Sequence, residues 1–171
     1  MEDRQGPVHI DIPKDILLQK SYLNSECNGF IRILRTKHDS SIPEIYNIIQ
    51  KSQKPILLIG QGCNHISDMI TKFAEKNTIP VVSTIHGMGV LNETNQLSLQ
   101  MCGMHGHPVA NMALQEADLI IGIGTRFDDR ITGKLSTYGE NARRNHGIIH
   151  IDSSTKQIEL VRRNFQKHFQ D

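Results

Sequence analysis

The sequence predicts an α/β fold with a doubly wound parallel sheet, and three observations carry that expectation. Short strand-like runs recur (Ile56 to Ile59, Ile79 to Thr84, Ala117 to Ile123 and Gly147 to Asp152), and the continuous apolar run Ile56 to Ile59 suits a strand covered on both faces. Segments with helical spacing separate the runs. Several of the runs end in glycine, the residue that lets a chain turn sharply at a strand end. Strands alternating with helices imply parallel pairing through right-handed crossovers.

Each element follows in order. Residues 6–20, GPVHIDIPKDILLQK, open with the strand-like alternation Val8, Ile10, Ile12 and stop at Pro13. Such a strand needs sheet neighbours, yet residues 21–40 are polar and irregular and read as a linker. The expectation is that the strand opening residues 6–20 is the last strand of a preceding domain, which makes the chain a piece of a larger protein. Ser41-Ile42-Pro43-Glu44 is a capping box with proline in the first turn, and it starts a helix of about 10 residues with Ile45, Ile48 and Ile49 on one face. Lys54-Pro55 ends the helix before the first buried strand, which Gly60-Gln61-Gly62 closes. A second helix carries Ile66, Met69, Ile70 and Phe73, and the next strand leads to Gly87 and Gly89. Pro108 opens a helix with Val109, Met112 and Ala113 expected inward. The final strand is followed by Ser154-Thr155-Lys156-Gln157, which caps a helix bearing Ile158, Val161 and Phe165.

Composition narrows the function classes. The chain has 171 residues, 37% of them hydrophobic and 22% charged, enough for one ordinary domain of about 100–150 residues and something more. A net charge of +1 gives no electrostatic footprint for nucleic acid, and the pairs Arg143-Arg144 and Arg162-Arg163 suit solvated helix surface. No apolar run approaches the roughly 18–20 residues of a membrane span. Three widely spaced cysteines, Cys27, Cys63 and Cys102, indicate neither a disulfide framework nor a zinc site, and they suit a reducing compartment.

The candidate site lies where the strands end. GTRFDDRITG, Gly124 to Gly133, follows directly on the most apolar strand and releases two arginines and two aspartates. Arg126 and Arg130 each offer a planar fork of donors to phosphate or carboxylate. The plainer reading is a solvated loop with two ion pairs. In a wound sheet, however, Gly60-Gln61-Gly62, Thr84-Ile85-His86-Gly87, Gly124-Thr125-Arg126 and Asp152-Ser153 all arrive at the carboxyl edge. Glycines there allow backbone amides to face a diphosphate, and Asp152 can accept from a sugar hydroxyl, which together suggest a dinucleotide. No GxxxxGK[ST] occurs, so a P-loop is not indicated. In Met101-Cys102-Gly103-Met104-His105-Gly106-His107 no further ligand cluster completes a metal site around the two histidines, and the glycines with Met104 suit a loop lying against a flat ligand. Cys63 and Cys102 are expected to be buried apolar residues.

GMHG at Gly103 to Gly106 together with GTRFDDRITG closely resembles the central domain of the acetolactate (acetohydroxyacid) synthase catalytic subunits, thiamine-diphosphate enzymes of branched-chain amino-acid synthesis. The resemblance implies a Rossmann-like FAD-binding domain over residues 41–171 and a remnant of the pyrimidine-binding N-terminal domain over residues 1–20. It implies FAD contacts at Gly60, Gln61, Gly62, Thr84, Ile85, His86, Gly103, Met104, His105, Gly124, Thr125, Arg126, Asp128, Asp152 and Ser153. It also turns Arg130 toward the carboxylate of a 2-oxo acid and sets Met104 and Asp129 along the access channel. In the family the flavin takes no net redox part, and homo-oligomers assemble with a regulatory subunit. The family's thiamine diphosphate and magnesium are held by a glutamate of the N-terminal domain and a Gly-Asp…Asn motif of the C-terminal domain. No Gly-Asp dipeptide occurs here, so catalysis by the isolated chain is not expected. Thr125, His86 and Gln170 depart from the residues usual in the family. Alternatives are a stand-alone module for FAD or NAD, or a remnant that has lost its ligand.

Overall fold

The computed structural model describes residues 7, 9–19 and 42–166. The chain divides into two units, Met1–His38 and Asp39–Asp171. In the first, α1 (Lys14–Leu17) is a single turn that begins after Pro13. Residues 9–13 form no strand, and Ile10 and Ile12 are 72% and 52% exposed. The expected N-terminal strand is thus corrected over its described part, because an extended segment gains stability only from the ladder of a neighbour. Val8 and the proposed linker, residues 21–40, lie outside the described residues.

The second unit starts with α2 (Ile42–Lys51), ten residues long as the spacing predicts. Then come β1 (Pro55–Ile59), α3 (Ser67–Asn77), β2 (Val81–Ser83), β3 (Ser98–Met101), α4 (Pro108–Glu116), β4 (Leu119–Ile123), the short helices α5 (Asp129–Thr132) and α6 (Glu140–Arg144), β5 (Ile148–Ile151) and α7 (Thr155–Gln166). The five strands form one sheet in the order β3-β2-β1-β4-β5, and every pairing is parallel. The α/β, doubly wound class read from the sequence is the observed one.

Alternation along the central strands explains why both faces are covered. Ile56 and Leu58 of β1 and Ile120 of β4 point to one face, where Ala110 and Leu114 of α4, Ala142 of α6 and Val161 and Phe165 of α7 meet them. Leu57 and Ile59, with Leu119 and Ile121, point to the other, where Ile70 and Ala74 of α3 pack and Ile48 and Ile49 of α2 close the layer. Leu57, Leu58, Leu119 and Ile120 have no exposed surface, and burying each stabilises the fold by roughly 1.5–3 kcal/mol. Among the described residues no helix is long and apolar enough to cross a membrane.

Two helix faces and one strand differ from expectation. Val109 and Met112 are half or more exposed, while Ala110 and Leu114 face the core. The run Val-Ala-Asn-Met-Ala-Leu is apolar nearly all round, so period alone does not choose between two adjacent stripes. In α3, Met69 is 67% exposed and Ile66 sits at the helix entry, leaving Ile70, Phe73 and Ala74 as the inward set. β3 carries no buried run: it is an edge strand, and Gln100 takes φ +66° at a register irregularity against β2. The helices α5 and α6 are each too short to show a periodic pattern.

Candidate functional site

The strand order reverses direction between β1 and β4, the place where a wound sheet opens a crevice at its carboxyl edge. Here the loop after β1 and the loop after β4 touch backbone to backbone. A Cβ on Gly60 would stand 2.2 Å from the Gly124 carbonyl oxygen and 2.7 Å from Thr125 Cα, and one on Gly62 would stand 2.7 Å from Gly124 Cα. Gly124 itself has φ +57°. Thr84 to Gly87 sits on the same spot from the β2 side, since a Cβ on Gly87 would lie 2.5 Å from the Ile59 oxygen and 3.1 Å from Gly60 Cα.

These glycines therefore serve a crossing of two loops. The Gly60 amide donates to Ile123 O (3.0 Å), the Gly62 amide to Gly124 O (3.1 Å) and the Gly124 amide to Ile151 O (2.8 Å). The amides of Gly60, Gly62 and Gly124 themselves are engaged inside the protein, so at these ends it is the neighbouring backbone amides that the glycines leave free to face a diphosphate. Polar recognition at this spot falls to the groups beside these glycines, the side chains of the β4 loop among them.

Those side chains gather on the β4 loop. Arg126 is half exposed and pairs with Asp128 at 3.0 Å. On either side of it, Thr125 Oγ1 and Asp128 Oδ1 are buried without a hydrogen-bond partner. A buried polar atom left unpaired costs about 1–3 kcal/mol, so two of them within two residues of Arg126 along the loop suit a place that takes a polar ligand. Exposed Ile85, His86, Met104 and His105 add an apolar and aromatic rim at the same edge, with Ile85 64% and Met104 63% exposed.

A second grouping adjoins the first. The Met104 amide donates to Arg130 O (2.8 Å), Arg130 Nη1 lies 3.9 Å from Met104 Sδ, and a Cβ on Gly103 would meet Arg130 O at 2.6 Å. Asn111 of α4 holds Gly103 at both backbone atoms, accepting from its amide (2.8 Å) and donating to its carbonyl (2.9 Å). Met104, Asp129 and Arg130 thereby line one cavity of about 290 Å³. His107 caps α4, its Nδ1 accepting from the Val109 amide (3.3 Å).

The remaining strand end is more enclosed. Asp152 keeps only 7% of its side chain exposed, and its Oδ1 accepts from the Ser154 amide (2.8 Å), which shapes the entry to α7, while Ser153 is exposed. Ser154 Oγ caps the helix by accepting from the Gln157 amide at 3.4 Å, as the sequence predicts. Cys63 and Cys102 are buried, and burial raises both thiols, Cys102 to about 12, so neither is thiolate at neutral pH. Cys27 and Gln170 lie outside the described residues.

Sequence reasoning overlooked three residues that hold the site. His150 Nε2 lies 2.8 Å from the Thr125 carbonyl, and Gln157 Nε2 donates to the Arg126 carbonyl at 3.2 Å. Asn111 is the third. Gln157 was read only as part of the capping motif, and Asn111 belongs to none; for His150 the available signal was a polar residue on an otherwise apolar strand, between Ile149 and Ile151.

Comparison with known proteins adds an independent line. Residues 42–167 match the family described as thiamine pyrophosphate enzyme, central domain. The chain is 41% identical over 160 residues to the chloroplastic acetolactate synthase of Arabidopsis thaliana, covering 91% of this chain and 23% of that protein. It is 38% identical over 160 residues to chloroplastic acetolactate synthase 2 of Nicotiana tabacum, covering 91% of this chain and 24% of that protein. It is 36% identical over 177 residues to the mitochondrial acetolactate synthase of Schizosaccharomyces pombe, covering 92% of this chain and 26% of that protein. The chain spans about a quarter of the length of these relatives.

Proposed function

The chain belongs to the thiamine pyrophosphate enzyme central-domain family, and from that premise we propose that its strand-end crevice binds FAD as part of an acetolactate synthase, which joins two 2-oxo acids after decarboxylating one. The observation that carries this reading is the pair of orphaned buried atoms, Thr125 Oγ1 and Asp128 Oδ1, either side of Arg126. They fit a ligand that brings hydroxyls and a diphosphate. Arg126 supplies the guanidinium for the diphosphate, with Asp128 orienting it.

Gly60, Gln61, Gly62, Gly124 and Thr84 form the floor, shaped by the loop crossing. Ile85, His86, Gly103, Met104 and His105 offer a rim against which a flat ring system lies, and Asp152 and Ser153 close the β5 side. The flavin supplies no net redox chemistry in this reading. Arg130, with Asp129 and Met104, faces the substrate side, where its planar donors suit the carboxylate of a 2-oxo acid. Thiamine diphosphate and magnesium belong to other parts of a longer protein, because no Gly-Asp…Asn motif is present in these residues.

Titration of FAD against the purified chain, followed by quenching of flavin fluorescence, tests the proposal. Arg126→Ala weakens binding by about 2–4 kcal/mol, the loss expected when one partner of a desolvated charged contact is removed, and Arg130→Ala leaves it unchanged. Absence of binding by the unaltered chain, or equal affinity of the two variants, overturns it.

A further inference from the structure

We propose that His150 is a positioning residue for the ligand site: from β5 it clamps the Thr125 carbonyl and so sets where the β4 loop presents Arg126. This deepens the flavin reading above and rests on it for its functional consequence. Three observations carry the clamp. First, Nε2 lies 2.8 Å from Thr125 O, and since a carbonyl only accepts, Nε2 carries the proton and donates. Second, the ring is fixed on its other sides. It meets the Phe127 ring edge to face at 5.2 Å between centroids, and only 8% of the side chain is exposed. Third, Gln157 of α7 holds the very next carbonyl, that of Arg126. Two consecutive carbonyls of the site loop are thus tied to β5 and α7, while the Gly60 turn supports it from β1.

The arrangement requires the neutral ring. With Nε2 donating, Nδ1 is a buried lone pair without a partner. Protonation would place an unpaired N–H there and a charge in an enclosed setting. Burial lowers the affinity of His150 for a proton, against the smaller opposing effects of the Thr125 carbonyl and Asp152. The charged groups around the ring are Asp152, whose Oδ2 is 3.9 Å from Nε2, and Arg143 of α6 and Arg162 of α7, which line the same cavity. Phe127 of the β4 loop and Phe165 of α7 bring no charge.

The test compares His150→Phe, which keeps a ring against Phe127 and lacks the donor, with His150→Gln, which keeps a donor. Amide hydrogen exchange at Gly124, Ile131 and Thr132, the hydrogen-bonded amides that bound the 125–128 loop, accelerates about tenfold in His150→Phe, the equivalent of one lost hydrogen bond, and returns toward the native rate in His150→Gln. FAD affinity falls about tenfold and recovers in parallel. The native affinity weakens as pH falls through the folded-state value of His150, which burial sets below the ordinary imidazole value, while that of His150→Gln stays flat. Exchange at Gly124, Ile131 and Thr132 within about twofold of native in His150→Phe overturns the clamp, whatever FAD does. If the native chain binds no FAD the flavin reading fails, and exchange alone decides the clamp. If His150→Phe does not fold, the side-chain 15N spectrum of the native protein decides: a neutral ring protonated at Nε2 supports the clamp, and protonation at Nδ1 instead overturns it.

Discussion

Replacing Gly60 with alanine isolates the loop crossing on which the site is built. Gly60 has φ −118°, so alanine suffers no conformational strain there, and the whole effect comes from space. The added methyl group would stand 2.2 Å from Gly124 O, 2.7 Å from Thr125 Cα and 2.8 Å from Gly124 C, all of them backbone atoms with no rotamer by which to yield. The β1 and β4 loops must separate by about 1 Å to reach ordinary contact distance. That separation overpacks the crossing, for about 1–3 kcal/mol, and stretches the Gly60 to Ile123 and Gly62 to Gly124 hydrogen bonds, each worth about 1 kcal/mol. The expected loss is about 3–5 kcal/mol, or a fall in melting midpoint on the order of 10 °C. Equilibrium urea denaturation of the chain measures it. Gly89→Ala is the comparison, because a Cβ there meets nothing within 4 Å and only its φ of +84° opposes the change, for about 1–2 kcal/mol. A Gly60→Ala protein as stable as Gly89→Ala refutes the reasoning. If it is also unable to take up FAD, the glycine is there to admit a ligand and the crossing is incidental.

Other substitutions probe the neighbouring features. Thr125→Val removes a buried hydroxyl that has no partner, so stability stays level or rises by up to about 1 kcal/mol while FAD binding weakens; a destabilisation above about 1 kcal/mol in the same denaturation assay contradicts the orphaned state. Asp118 is pushed upward by burial, but the Ser52 hydroxyl, the Gln53 and Lys54 amides and His146 together hold its carboxyl below the ordinary value. A lowered carboxylate pKa in the folded chain favours folding above the unfolded value near 3.9 and ceases to do so as pH falls through the folded value, so Asp118→Asn flattens the acid limb of the stability profile. An unchanged limb rejects that role. For His150 the folded value is also lowered, and for a base this means that the unfolded chain takes up the proton first. Stability therefore is complete above about pH 6.5 and declines below it, and the decline disappears in His150→Gln. Leu58→Ala, at a fully buried position of β1, costs about 2–5 kcal/mol in the denaturation midpoint.

What the sequence made legible is what its periodicity and turn chemistry encode. β1 and β4 are visible because a strand covered on both faces must be apolar at every position, and Ile56 to Ile59 and Leu119 to Ile123 meet that condition. β3 is the opposite case: an edge strand with one neighbour gains little from burial, so Ser98 to Met101 carries no run to detect. The faces of α3 and α4 slipped because Met69, Val109 and Met112 are apolar residues on the solvent side, and apolar surface is common enough that it does not mark the interior. Of the candidate site, the loops were legible and their purpose was not. Glycine at a strand end has the same appearance whether it admits a ligand or another loop, and only the distance from Gly60 to Gly124 separates the two.

That distinction changes where recognition must reside. If the glycine amides were open, the crevice would bind any anion through its backbone, and the side chains of the β4 loop would only refine selectivity. With those amides closed in hydrogen bonds to Ile123, Gly124 and Ile151, the loops after β1 and β4 and the end of β5 form one cross-linked unit, and Arg126 is displayed from it. A change in any of the three strand ends is then transmitted to the guanidinium through bonds already made. His150 and Gln157 act from β5 and α7 on the same short stretch, Thr125 and Arg126, so the placement of one charged side chain depends on elements that touch no ligand. Substitutions at Gly60, His150 and Gln157 should therefore weaken flavin binding in proportion to how far they free the 125–128 backbone. A variant that loosens this backbone and leaves affinity intact breaks the link between the crossing and the site.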